Sequence, residues 1–184
     1  MVTDSRTPEA TGGQPVDRRS MAPIAALMYA VAGLLAMGTT LLPHPEEMNR
    51  AGIFGLGAVA LVTAAGMWLL RDHLRPWVFH LTTAAGTALT GLAVYWGGEA
   101  NTSFAWLLLF IAVFAAYFFS VAATAAHLAF AGLIYAAALA IQPVTHDDVV
   151  THWVVAMVVI SLTAGIILSL VSARRRLEAE RELL

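Results

Sequence analysis

The chain is a series of apolar blocks of about 20 residues, the length an α-helix rising 1.5 Å per residue needs to cross about 30 Å of hydrocarbon. Six such blocks occupy residues 23–42, 51–70, 77–96, 103–119, 121–141 and 153–173. A chain of 184 residues that is 59% hydrophobic and 12% charged has too few polar side chains to cover a water-facing surface, since soluble domains carry about 25% charged residues. The expected fold is therefore all-α: a polytopic integral membrane six-helix bundle over residues 21–173, with the lipid bilayer as its partner. Residues 1–20 are polar and rich in Pro, Gly, Thr and Asp, which predicts a disordered cytoplasmic tail. The first apolar block is longer than the h-region of a signal peptide and reads as a true span.

The fourth and fifth blocks are told apart by length. Phe104 to Ile141 is 38 residues without Asp, Glu, Lys or Arg, and as one helix it would run about 57 Å, nearly twice the hydrocarbon thickness. It must fold back, and Tyr117, Phe118, Phe119 and Ser120 form the expected turn, with aromatics at interface depth and a turn-tolerant Ser.

Arginine placement sets the orientation. Six spans with the N-terminus inside put Arg6, Arg18, Arg19, Arg71, Arg75, Arg174, Arg175, Arg176 and Arg181 on one side and Arg50 alone on the other. Positive charge collects on the cytoplasmic side of a plasma membrane, so both termini are expected there. Tryptophan placement agrees: Trp68 and Trp77 fall at the inner interface, Trp96, Trp106 and Trp153 at the outer one. Small residues recur every four positions at Thr82, Gly86 and Thr90 and at Gly132, Ala136 and Ala140. Such stripes let helix backbones approach, within one bundle or across a dimer seam.

Few residues have chemistry to offer. With no cysteine, thiolate metal sites and cysteine nucleophiles are excluded, and a net charge of −2 gives no reason to expect a nucleic-acid partner. No nucleophile elbow, Walker loop, HExxH or zinc-ligand spacing occurs, so no enzyme activity and no cofactor are expected of this chain. The outer loops hold Glu46, Glu47, Glu99, Asp147 and Asp148, with His44, His146 and His152 among them. His44, His146, Asp148 and His152 are candidate ligands for a divalent metal, Asp148 and His152 being four apart on one helix face, or a proton-sensing group. The alternative is loops that are acidic only because topology excludes positive charge from them.

His80 and His127 lie inside the third and fifth blocks, each a turn or two from the cytoplasmic end. Ionisable groups inside a membrane are functional candidates. Their matched depth would allow a proton relay or a bis-imidazole haem, the bland alternative being hydrogen-bonded packing near the interface. No Asp, Glu, Lys or Arg lies deep in any block, which counts against an ion-coupled transporter or pump.

The last segment, 174–184, runs Arg-Arg-Arg-Leu-Glu-Ala-Glu-Arg-Glu-Leu-Leu. Nothing in it stops a helix, so a cytoplasmic exit helix is expected to continue from the sixth span. Leu170, Leu177 and Leu184 recur every seven residues, the spacing of a coiled-coil seam through which two chains can pair.

Together these features carry a resemblance: the six spans, the run Ala115, Ala116, Tyr117, Phe118, Phe119 and Ser120, an Ala-rich fifth span with Tyr135, and the Arg-, Leu- and Glu-rich exit helix. They resemble the N-terminal membrane region of actinobacterial-type sensor proteins that carry a diguanylate cyclase (GGDEF) domain. Neither GG[DE]EF nor DxLTGLxNR occurs here, so no catalytic residue carries over. The resemblance implies a sensory input module that passes a membrane or extracellular signal, such as an unknown small ligand, to a cytoplasmic output. Similar exit helices precede histidine kinase and nucleotide cyclase domains. A small transporter or channel, or a structural anchor, are the alternatives.

Overall fold

All six apolar blocks are helical in the computed structural model, which describes residues 18–43, 46–98, 103–142 and 149–182. The helices are α1 (Arg18–Thr39), α2 (Arg50–Leu69), α3 (Pro76–Trp96), α4 (Leu107–Phe118), α5 (Val121–Ile141) and α6 (Val149–Glu182), with a 3-10 turn at Ser103–Trp106 leading into α4. Among the described residues there is no strand. Five of the helices, α1, α2, α3, α5 and α6, are long and apolar enough to cross a membrane, and Ser103–Phe118 is a shorter apolar helix. Among the described residues the only regular structure is thus helical, and the long apolar helices are those of a membrane protein.

Helix ends follow local chemistry. Asn49 caps α2, its side chain accepting from the Gly52 N–H at 2.9 Å. Pro76 stands in the first turn of α3, where a missing N–H costs nothing. Ser120 caps α5 by accepting from the Ala123 N–H at 3.3 Å. Beyond α3, Gly98 takes a φ of 82°, a conformation that suits glycine and turns the chain away.

Several expected boundaries shift. α1 starts at Arg18, inside the expected tail of residues 1–20, because Met21 and Ala22 are buried and draw the helix back before Pro23; residues 1–17 lie outside the described ones. It ends at Thr39 rather than at 42. There the Thr39 and Thr40 hydroxyls donate to the Ala36 and Met37 carbonyls at 2.7 Å, and the backbone tightens into i to i+3 bonds. Such local bonds compete with the helix ladder. The expected turn over 117–120 contracts to Phe119 and Ser120, since α4 runs through Tyr117 and Phe118. Its 12 residues and the preceding 3-10 turn of 4 reach about 26 Å at 1.5 and 2.0 Å per residue, a little under the roughly 30 Å of hydrocarbon. α6 starts at Val149, ahead of the expected 153, and is unbroken for 34 residues.

Small residues decide which helices meet. α1 and α2 form the most intimate pair, because Gly33 and Gly57 leave their backbones in contact: a Cβ on either would stand 2.8 Å from the other's carbonyl oxygen. α3 packs chiefly on α5, and α4 on α6. At the α3–α5 seam Gly91 receives Ile134, whose Cγ2 lies 2.3 Å from where a Gly91 Cβ would be. The two small-residue stripes are occupied within the chain, Gly86 against Tyr29 of α1 and Gly132 against Met157 and Trp153 of α6. Two apolar cores result. One, around Ile53, Val94, Leu108 and Tyr135, joins α2 to α6. The other, around Met21, Met67, Phe79, Phe114 and Phe118, joins the start of α1 to the end of α4.

Candidate functional site: a histidine pair at one end of the α3–α5 seam

α3 and α5 run parallel, and two bonds prove it. His80 meets His127 near the start of both helices, and the Gln142 side-chain N–H donates to the Val94 carbonyl at 2.7 Å near the end of both. The intervals are 14 residues on α3 (94 − 80) and 15 on α5 (142 − 127), so the seam stays nearly in register for about 21 Å. Parallel helices require a return between them, and α4 provides it. The Phe119–Ser120 turn reverses the chain, and the Thr124 hydroxyl fastens the reversal by donating to the Ala115 carbonyl at 2.9 Å.

Register places the two imidazoles edge to edge. His80 Nδ1 and His127 Nε2 are 3.2 Å apart, the ring planes differ by 4° and the centroids are 5.5 Å apart. The centroid separation exceeds the nitrogen separation by about two ring radii, so the facing nitrogens lie on the line between the centroids. This is an in-plane hydrogen bond, one ring donating and the other accepting, and not a face-to-face stack. Which ring donates depends on tautomer. Phe119 covers the pair, stacked on His80 at 4.0 Å and on His127 at 5.1 Å. It is held in turn by Phe114, edge-on at 5.7 Å. Ala84, Ala123 and Ala126 are small enough to leave a cavity of about 260 Å³ beside the rings, closed at one side by Phe130.

The three helices that carry the pair and its cover bring no charged side chain to it. α3, α4 and α5 contain no Asp, Glu, Lys or Arg, so no carboxylate or cation on these elements competes for the imidazole protons. The in-line bond leaves each ring one further nitrogen. A proton taken up at the outer nitrogen of one ring can pass across the shared bond and leave from the outer nitrogen of the other. A metal between the facing nitrogens would need them about 4 Å apart, two bonds of roughly 2.0 Å each. At 3.2 Å the pair is set for a proton and not for a bis-imidazole iron. Among the described residues no group of three or more His, Cys, Asp or Glu could hold a metal ion.

His44, His146, Asp148 and Leu184 lie outside the described residues. His152 is half-buried on the first turn of α6, next to Trp153, whose indole N–H donates to the Gly132 carbonyl of α5 at 2.9 Å. Leu170 and Leu177 are both exposed on α6. Where α6 leaves its apolar stretch, Arg174 Nε donates to Glu178 Oε1 at 2.8 Å across one helical turn, an exposed pair of small energetic weight.

Three residues that organise the site escaped the reading of the sequence. Phe119 was legible only as part of a turn. Gln142, a lone amide at the end of an apolar block and just before Pro143, was the available signal for the far clamp of the seam. Tyr29, whose hydroxyl donates to the Thr82 carbonyl, is a lone phenol in the first block. No protein-family model, curated protein or solved structure matches the chain.

Proposed function

We propose that the chain is a membrane-embedded sensory input module of the plasma membrane, with six spans and both termini in the cytoplasm. In this reading the His80–His127 pair is the responsive group and α6 is the element that carries the response outward. The observation that carries the proposal is the state of α6. It is one unbroken helix of 34 residues, about 51 Å long, and only 11% of its apolar stretch is buried, against 28–39% for the four other long apolar helices. α6 is held mainly by α4 and α5. A long, stiff and lightly held helix can shift as a unit, which is the two-state element signalling needs. The pair is coupled to it through Phe119, the first residue of the α4–α5 turn, since α4 is the main support of α6. Imidazoles change charge between about pH 5 and 8, so a proton is the simplest signal the pair can read.

A channel or transporter is the weaker reading, because the threonine hydroxyls of α3 are turned to their own helix. Thr82 and Thr83 donate to the Phe79 carbonyl, Thr87 to Thr83 and Thr90 to Gly86, which leaves no polar path through the span. The resemblance favours a cyclic-di-GMP type output, with a histidine kinase or a nucleotide cyclase as the other outputs that such exit helices serve.

The test joins the full chain, after Leu184, to a diguanylate cyclase domain through junctions lengthened one alanine at a time over two helical turns. Cyclase output should rise and fall with helical phase, and its pH response should vanish in His80→Gln and His127→Gln. Output independent of junction length would leave α6 as a plain anchor and overturn the proposal.

A further inference from the structure

The α1–α2 hairpin is tightly closed on itself but touches α3 and α4 sparsely. Between the two halves lies an open cleft with a cavity volume of about 90 Å³, lined from all four helices. On α1 the lining runs from Ala25 to Ala36, 11 residues or about 16 Å, which is half the roughly 30 Å hydrocarbon thickness and therefore the reach of one leaflet's chain. Small side chains create it, with Ala32 and Gly33 on α1, Gly57 on α2 and Gly86 on α3 facing Phe110 and Ile111 on α4.

The polar atoms in the cleft are already engaged. The Tyr29 hydroxyl donates to the Thr82 carbonyl, and the Thr82, Thr83 and Thr90 hydroxyls donate to carbonyls of their own helix. Each of these hydroxyl protons is thus engaged, no charged side chain lines the cleft, and the rest of the lining is hydrocarbon. Water gains little in such a space, whereas an empty slot forfeits the dispersion contacts of its walls. The surrounding solvent of these helices is lipid, whose chains are narrow, flexible and of the right length.

We infer that this cleft is a binding site for a single lipid acyl chain, inserted between the α1–α2 hairpin and the α3–α4 pair. The chain acts as a wedge that sets the distance of the hairpin from the remaining helices. This inference is independent of the histidine pair and of any signalling role.

The test reconstitutes the full chain in phosphatidylethanolamine–phosphatidylglycerol vesicles containing a trace of phosphatidylcholine with a diazirine in its acyl chain. After photolysis the labelled residues are mapped by peptide mass spectrometry. Residues lining the cleft, such as Ala32 and Ile111, should label several-fold more than Leu27 and Leu133, which are exposed on the outside of α1 and α5. Ala32→Phe, which fills the cleft, should reduce its labelling to the outside level, while Leu34→Phe on the exposed side of α1 should change nothing in the cleft. Ile111→Trp fills the same space from the opposite wall and decides the matter if Ala32→Phe does not fold. Cleft labelling no higher than that of the outside, or unaltered by either filling substitution in a folded protein, overturns the inference.

Discussion

Gly33→Ala is the substitution whose cost the geometry defines most directly. Its Cβ would stand 2.8 Å from the Gly57 carbonyl oxygen and 3.2 Å from both Ala60 Cβ and Leu61 Cγ. Ordinary van der Waals contact begins at 3.4 Å, so α1 must retreat from α2 by about 0.6 Å (3.4 − 2.8). The nearest obstacle is backbone, which cannot rotate aside. A gap of 0.5–1 Å forfeits roughly a quarter to a half of each dispersion contact along the seam. In lipid that loss has no hydrophobic compensation, since packing itself holds the helices together. Overpacking of this kind costs about 1–3 kcal/mol. Gly55 on α2 is the matched control, because a Cβ there meets nothing within 4 Å, and replacing a helical Gly with Ala should stabilise by roughly 0.5–1 kcal/mol. The two substitutions therefore differ in sign. Reversible unfolding in mixed micelles on titration with dodecyl sulfate, followed by far-ultraviolet circular dichroism, measures both. Equal stability of Gly33→Ala and Gly55→Ala would refute the close backbone approach of α1 and α2.

Two further predictions concern α6 and the topology. Trp153→Phe keeps an aromatic ring but removes the pyrrole half of the indole with the N–H that bonds the Gly132 carbonyl; in the same unfolding assay it should cost at least roughly 0.6 kcal/mol, the typical size of an interhelical hydrogen bond in lipid, and no change would mean that the bond does not tie α6 to α5. Single cysteines at Ser5 and Leu184 should resist an impermeant thiol reagent in intact cells while those at Glu46, Glu99 and Asp147 react, and labelling of Leu184→Cys from outside would end the six-span topology.

Helix existence was legible in the sequence because apolar run length is a strong constraint when backbone groups cannot bond to lipid. The fold-back before α5 was legible for the same reason: no single helix could hold 38 uncharged residues within one bilayer. Boundaries were less so. The start of α1 depends on burial of Met21 and Ala22 by residues from α2, α3 and α4, a tertiary effect that Pro23 masks in the sequence. His80 and His127 could be named from the sequence as ionisable groups at matched depth, but their union could not be derived. It needs α3 and α5 to be parallel neighbours, in register to within a residue, with Phe119 above them. That arrangement comes from Gly91 admitting Ile134 and from Gln142 reaching Val94, contacts between segments about 45 residues apart that no local pattern reports. The outer candidates His44, His146 and Asp148 fall outside the described residues, so their grouping rests on loop proximity in sequence alone.

The interhelical bonds differ in kind, and the difference bears on how such a module would work. Tyr29, Gln142 and Trp153 each direct a donor to a backbone carbonyl of another helix. A carbonyl does not change protonation near neutral pH, so these joints are fixed across the physiological range. His80 and His127 bond to each other through ring nitrogens, whose donor and acceptor roles depend on tautomer. With one proton between the facing nitrogens the bond holds. With a proton on both, the two N–H groups oppose and the rings must part. The α3–α5 seam thus has a joint to backbone at Gln142–Val94 and an imidazole–imidazole joint about 21 Å away, which in the proposed reading would act as a hinge and a latch. Opening the latch would move the start of α5 and not its end. The Phe119–Ser120 turn, fastened to α5 through Thr124 and Ala115, would have to follow, taking the end of α4 with it. α4 packs against α6, and beyond Arg174 the α6 residue Leu177 is exposed. In the proposed reading, a small opening at one pair of rings would reach the end of the longest helix through parts already joined in sequence, and Phe119→Ala should uncouple the two ends while leaving both intact.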